Sequence, residues 1–534
     1  MWAKNLLFIS LVLVGAIALM GGLFPLKIPL PATNQPASNA AVPDHAPIVR
    51  EVDALFRESW TKNQLTAAVP APDLAVARRL ALALTGGIPS LQEIRHFEAE
   101  PADARVNDYL FKLLQDRRYA DYFAERLARA YVGTEDGPFI VYRRRRFVSW
   151  LSDELMKNRP YDQIVRDLIA DEGLWTDKPA TNFVTVTVEP DKGPNPERLG
   201  ARVARAFLGI RLDCAQCHDH PFQPWKQKDF QGIAAYFGQV HEGLTGTYDG
   251  AGDYQVDKRK TGKLETIEPR VPFLTELVSE DGTRRGQLAE WVTNPKNRYF
   301  ARATVNRVWA LMLGRPLVEP VDDLASTGDP PRVLELLADD FIDHGYDLRR
   351  LIEVIAATEV FRLNSAIESG VTDAHDKFWA AFPMTRLRPE QVVGGILQAA
   401  SLETLDRSSH IVSRFFRFVN ERDFVQRYGD MGEDEFVSRG GTIPQRLLMM
   451  NGQIVHDNTQ KGLLTAAARI ALLAPGDAVA VETSYLTVLT RRPTADEAAH
   501  FEARLAGTTK GERSERIADL FWTLINSTEF SWNH

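Results

Sequence analysis

Cys214-Ala215-Gln216-Cys217-His218-Asp219-His220 holds both cysteines of the chain and two of its eleven histidines. Two thiols three positions apart, followed at once by a histidine, spell C-x-x-C-H, the pattern of covalent haem attachment. At such a site each thiol adds across a porphyrin vinyl group to give a thioether, and the histidine supplies the proximal nitrogen to iron. On a helix, positions 214, 217 and 218 are i, i+3 and i+4, so the three side chains leave one face. Haem c is therefore the first expectation, with Cys214, Cys217 and His218 binding it and His218 as the iron ligand.

Two other readings use the same residues. Cys214, Cys217, His218 and His220 form a Cys₂His₂ set, the composition of a structural zinc site. Four ligands within seven residues would strain a tetrahedral shell, and zinc sites usually draw ligand pairs from two separated segments. A metal-free redox dithiol is the third reading. In the haem reading His220 stands too close to His218 to reach the opposite ring face. It is expected beside the site instead, fixing the turn together with Asp219. A distal ligand would come from His241, Met312, Met384, Met431, Met449 or Met450. Methionine is a common core filler, so each of these is more often packing than ligand, and an open sixth position is equally allowed. Trp225 either packs on the cofactor or fills core.

The elements around the motif read as helices. Residues 197–220 form an amphipathic pattern, with Leu199, Val203, Phe207 and Ile210 on one face and Arg198, Arg202 and Arg205 on another. Pro221 should stop that helix, which places the motif in its last turns. A second helix is expected over Lys228–Val240. Upstream, Leu74–Thr85 reads as a helix ended by Gly86, and Ser90 with Glu93 makes a capping box for the next. Val106–Leu114, Tyr119–Val132 and Val141–Asn158 follow. Arg143 to Arg146 lie in the last of these. Four consecutive arginines circle a helix, so they read as a solvated face with local carboxylate pairing before an anion-docking patch. Phe183–Val188 alternates and is β-branched, which predicts a strand. Residues 243–283 look like a small β excursion between two helical halves. The second half shows helical patterns at Gly286–Thr293, Ala301–Leu313, Val333–His344, Leu348–Ala357, Pro389–Ala400, Pro444–Gly452, Gly462–Leu473 and from Thr494 onward.

At 534 residues the chain is too long for one core. The expected organisation is mainly α: residues 1–24 as membrane anchor or signal peptide, 25–47 as a Pro-rich linker, helical domains at 48–242 and 284–534, and the excursion between them. A net charge of −8 argues against nucleic acid as a partner, since a phosphate-binding surface needs a basic excess. Lys4 precedes an uncharged apolar run, Leu6–Phe24, close to the roughly 20 residues that cross a bilayer. Ala16-Ile17-Ala18 offers a cleavage site, but the run continues beyond it, so an uncleaved transmembrane anchor is expected first. Either way the bulk is expected outside the cytoplasm, on the periplasmic side, where covalent haem attachment also takes place in bacteria.

Phe207-Leu208-Gly209-Ile210-Arg211-Leu212-Asp213-Cys214, His220-Pro221-Phe222 and Trp225-Lys226-Gln227-Lys228-Asp229-Phe230 together resemble a planctomycete-type family of secreted cytochrome-like proteins built from DUF1549 and DUF1553 domains. Arg159-Pro160-Tyr161-Asp162-Gln163 looks like a segment of the first domain. Phe300-Ala301-Arg302 with Val305-Asn306-Arg307-Val308-Trp309 looks like the start of the second, and Thr442-Ile443-Pro444-Gln445, Met450-Asn451 and Ile525–Phe530 resemble its later landmarks. The resemblance covers about residues 50–534. It implies a largely helical, secreted protein with a haem motif, from lineages that degrade polysaccharides, and no particular reaction. With one attachment site, the chain offers no relay of several haems.

The function expected from these readings is electron transfer, or another haem-based redox role, with a redox partner protein. The alternative is a non-enzymatic scaffold holding zinc. No pattern marks a catalytic residue, the oligomeric state is open, and whether the chain is an enzyme stays open as well.

Overall fold

A computed structural model describes residues 45–534 except 135–141, 259–262, 325–327, 406–423, 430–435, 437–440 and 460–464. It is mainly helical, as the periodicity predicts. The described strands form three antiparallel pairs: Val240–Gly243 with Gly246–Asp249, Gln255–Lys258 with Lys263–Thr266, and Thr385–Arg386 with Trp532–Asn533. The first two make up the β excursion between the halves.

The anchor segment 1–24 and most of the linker lie outside the described residues. Among the described residues no helix is long and apolar enough to cross a membrane. The expectation of a periplasmic protein held by a transmembrane anchor is corrected accordingly: no spanning helix among the described residues supports it.

The helix Asp73–Thr85 contributes to both large hydrophobic cores. Leu80 and Leu84 belong to a first hydrophobic core that gathers residues from 48 to 382, while Leu82 joins Ile88 and residues from 387 to 530 in a second. It ends at Gly86, whose φ of 67° suits glycine, and a Cβ there would strike the Tyr122 ring. Ser90 then opens the next helix with the expected capping box: its Oγ accepts from Glu93 N–H at 3.0 Å, and Glu93 Oε2 accepts from Ser90 N–H at 2.8 Å. The first core does not break at the β excursion. The helix Arg298–Leu313, from the second half of the chain, lies buried inside it through Phe300, Val305, Val308 and Trp309.

Two further sequence expectations change. Phe183–Val188 is no strand: Asn182–Thr185 is a short helix followed by a turn. Side chains bend the backbone here, since Asn182 Nδ2 donates to Pro179 O at 2.9 Å and Thr187 Oγ1 to Val184 O at 2.8 Å. Such local bonds compete with a strand ladder. Asp477–Leu489 is a helix that no amphipathic stripe announces, because Val481, Tyr485, Leu486 and Val488 bury it on several sides.

Candidate functional site

The helix that leads to the motif is shorter than its apolar pattern. Asn195 caps it by accepting from Arg198 N–H at 3.0 Å. Pro196–Val203 is α-helical, Ala204–Leu208 widens into a π turn, and Gly209 stops it at φ 61°. A Cβ on Gly209 would stand 3.0 Å from Leu324 Cγ, so the contact with another segment is what the glycine permits. The motif therefore lies on a loop beyond the helix, and the expected helix to His220 is corrected. Pro221 plays no part in the stop, which falls twelve positions earlier, where the chain turns at Gly209.

Within the loop, Asp213–Ala215 makes one 3₁₀ turn, with Ala215 N–H bonded to Leu212 O at 2.8 Å. Leu212 and Ala215 are buried and pin the turn to the first core, while Cys214, Gln216, Cys217 and His218 are exposed. Both thiols are free. His218 Nδ1 lies 2.8 Å from Asp219 O. A carbonyl only accepts, so Nδ1 carries a proton, as it does in a histidine that ligates through Nε2.

His220 shapes the rest of the loop. Its Nδ1 accepts from Phe222 N–H at 3.1 Å and Gln223 N–H at 3.0 Å, and its backbone N–H donates to Trp225 O at 2.8 Å. Asp219 Oδ1 accepts from Gln227 N–H at 2.9 Å, at the start of the helix Gln227–Ala235. Gln227 Nε2 reaches back to Gln216 O at 3.1 Å. These bonds fold residues 216–227 into one unit. Phe222 stands at its edge, 92 % exposed.

The residues that would hold a haem, Cys214, Cys217 and His218, lie together on the exposed loop. Among the described residues no group of three or more His, Cys, Asp or Glu is arranged to hold a metal ion. Beside the loop, the indole Nε1 of Trp225 and Oε1 of Gln223 are buried with no hydrogen-bond partner. Unpaired buried polar atoms are uncommon and mark places where another polar group belongs.

The other candidates are dispersed. Met312 and Met449 are core residues, Met384 and Met450 are exposed, and Met431 lies outside the described residues. His241 Nε2 donates to Ala251 O at 3.0 Å, on the β excursion. Trp225 is buried against Phe273, ring centroids 6.1 Å apart. Three of the four arginines diverge: Arg143 lies over Trp175, Arg144 makes a two-pronged pair with Glu125 at 2.8 Å, and Arg146 donates to Thr176 O. The residues that sequence reasoning passes over are Asp322, Asp323 and Gln223. Asp322 pairs with Arg211, and an Asp-Asp step in a loop carries no signal apart from a solvated surface.

Fold and site define a mainly helical protein that presents a C-x-x-C-H loop at its surface. Residues 51–242 match the family described as protein of unknown function (DUF1549), and residues 284–505 match that described as protein of unknown function (DUF1553). The chain belongs to the proteins built from these two domains. No curated protein and no solved structure matches it.

Proposed function

We propose that the chain is a c-type haem protein with a redox role, in which Cys214 and Cys217 form the thioethers and His218 Nε2 is the iron ligand. The observation that carries this reading is the loop tip: two free, exposed thiols beside a histidine whose Nδ1 proton is committed to Asp219 O at 2.8 Å. Haem held there would supply a one-electron couple at iron. The protein's own part is to present both sulfurs to solvent, to hold the His218 tautomer and to keep the turn closed through His220. An exposed motif also suits exchange with a redox partner protein that docks over it.

The test is expression alongside c-type haem maturation machinery, followed by a denaturing gel stained for haem. Haem that stays on the polypeptide supports the reading. A chain without covalent haem, carrying one equivalent of zinc after chelator-free purification, would sink it in favour of the scaffold.

A further inference from the structure

A segment remote in sequence holds the motif loop from outside. Asn306, buried on the helix Arg298–Leu313, exchanges two hydrogen bonds with the backbone of Val318 at 2.8 and 3.0 Å, which ties down the strap that follows. Asp322, Asp323 and Leu324 on that strap then meet the loop at both ends. At its entrance, Leu324 N–H donates to Gly209 O at 2.8 Å, and Arg211 grips Asp322 with two bonds of 2.7 and 3.0 Å. Arg205 bridges Asp322 and Asp213, one residue before the first cysteine. At its exit, Gln223 Nε2 donates to both oxygens of Asp323 at 3.0 and 3.2 Å. The Asp323 carboxylate, 8 % exposed, also faces the backbone amide of Arg211. One buried carboxylate thus touches the residue that enters the loop and the residue that leaves it.

We propose that Asp322-Asp323-Leu324 is the positioning element of the two-cysteine loop, so that the site is bipartite: the DUF1549 segment brings the cysteines and histidine, and the DUF1553 segment brings the strap that fixes their geometry. The physical need is plain. Between Gly209 and Gln227 the loop has one 3₁₀ turn and no other regular element, and closing such a loop costs conformational entropy that contacts at its ends must offset. A buried carboxylate is costly unless its bonds are made, so Asp323 enforces them. The inference deepens the haem reading and rests on it only for the cofactor arm of the test.

The experiment uses the full chain and two variants, Asp323→Ala and Gln223→Ala. Hydrogen exchange is followed at residues 213–223, with the helices Asp73–Thr85 and Arg298–Leu313 as internal references. Loop amides exchanging about tenfold faster, with the reference helices unchanged, is the expected result for locally lost protection. Gln223→Ala breaks the same contact from the loop side, so it decides the matter if Asp323→Ala does not fold. Parental exchange in the loop of Gln223→Ala overturns the proposal. In the cofactor arm the haem-bearing fraction after co-expression should fall several-fold in both variants, and an unchanged fraction overturns the bipartite site. Parent protein that takes no haem, with a loop that still loosens in the variants, removes the haem reading and leaves the positioning role standing.

Discussion

Nη2 of Arg129 lies 2.6 Å from Oε1 of Glu390, and Arg126 meets the same oxygen at 3.0 Å. These contacts join the helix Arg117–Val132 of the first core to the helix Pro389–Ala399 of the second. Burial pushes the Glu390 carboxyl up, but the two guanidiniums outweigh it and hold it at about 2. Glu390→Gln removes the charge that faces both arginines. It is expected to cost about 3–5 kcal/mol, as breaking a buried pair does. Urea unfolding measures the cost, and parental stability in the variant would refute the bridging role.

The same carboxylate sets an acid limit. Its folded pKa lies below the unfolded value of about 4.3, so its contribution is complete above that value and drains away as pH falls toward 2. Unfolding free energy followed from pH 6 to pH 2 should fall less steeply in Glu390→Gln than in the parent below about pH 4.5. Parallel curves would show that other carboxylates dominate.

Gly209→Ala tests the turn that ends the leading helix. A side chain at φ 61° costs about 1–2 kcal/mol by itself. The new Cβ would also stand 3.0 Å from Leu324 and 3.3 Å from Ala303, so the loss should exceed that range. A melting temperature within a degree of the parent would refute both the backbone cost and the steric one.

His218→Ala separates chemistry from stability. The residue is exposed, and replacing it should change the unfolding free energy by no more than about 0.5 kcal/mol. If haem is attached, this variant should keep both thioethers and show an altered iron spectrum. Cys217→Ala should lose one thioether, read from the pyridine haemochrome spectrum. An unaltered spectrum in His218→Ala assigns the iron to another ligand.

Phe222→Ala is a companion control. The ring is 92 % exposed, so its removal should leave the melting temperature unchanged. A large loss of stability would mean that the ring is covered in the folded protein.

Much of the fold is written in local patterns. The Ser90–Glu93 capping box, the Gly86 stop and the amphipathic helices Arg105–Leu114 and Leu348–Ala357 follow from spacing alone, because caps and apolar stripes act within a few residues. The pattern misleads where burial is uniform. Val184 and Val186 look like a strand face, and Val481 to Val488 show no stripe, since a segment covered on several sides has no solvent face to mark its period.

The motif divides the same way. The sequence by itself determined which atoms are at hand, two thiols and two imidazoles within seven residues, because covalent chemistry depends on residue type and spacing. Tertiary structure decided how they are held. It placed the motif on a loop beyond Gly209 rather than on a helix, set His220 to closing the turn, and brought Asp322 and Asp323 from a hundred residues away to its two ends. Apolar periodicity extends past Gly209 because Ile210 and Leu212 are buried too, and burial alone does not say whether a chain stays helical. That choice belongs to the contact with Leu324, a long-range contact that no local spacing encodes.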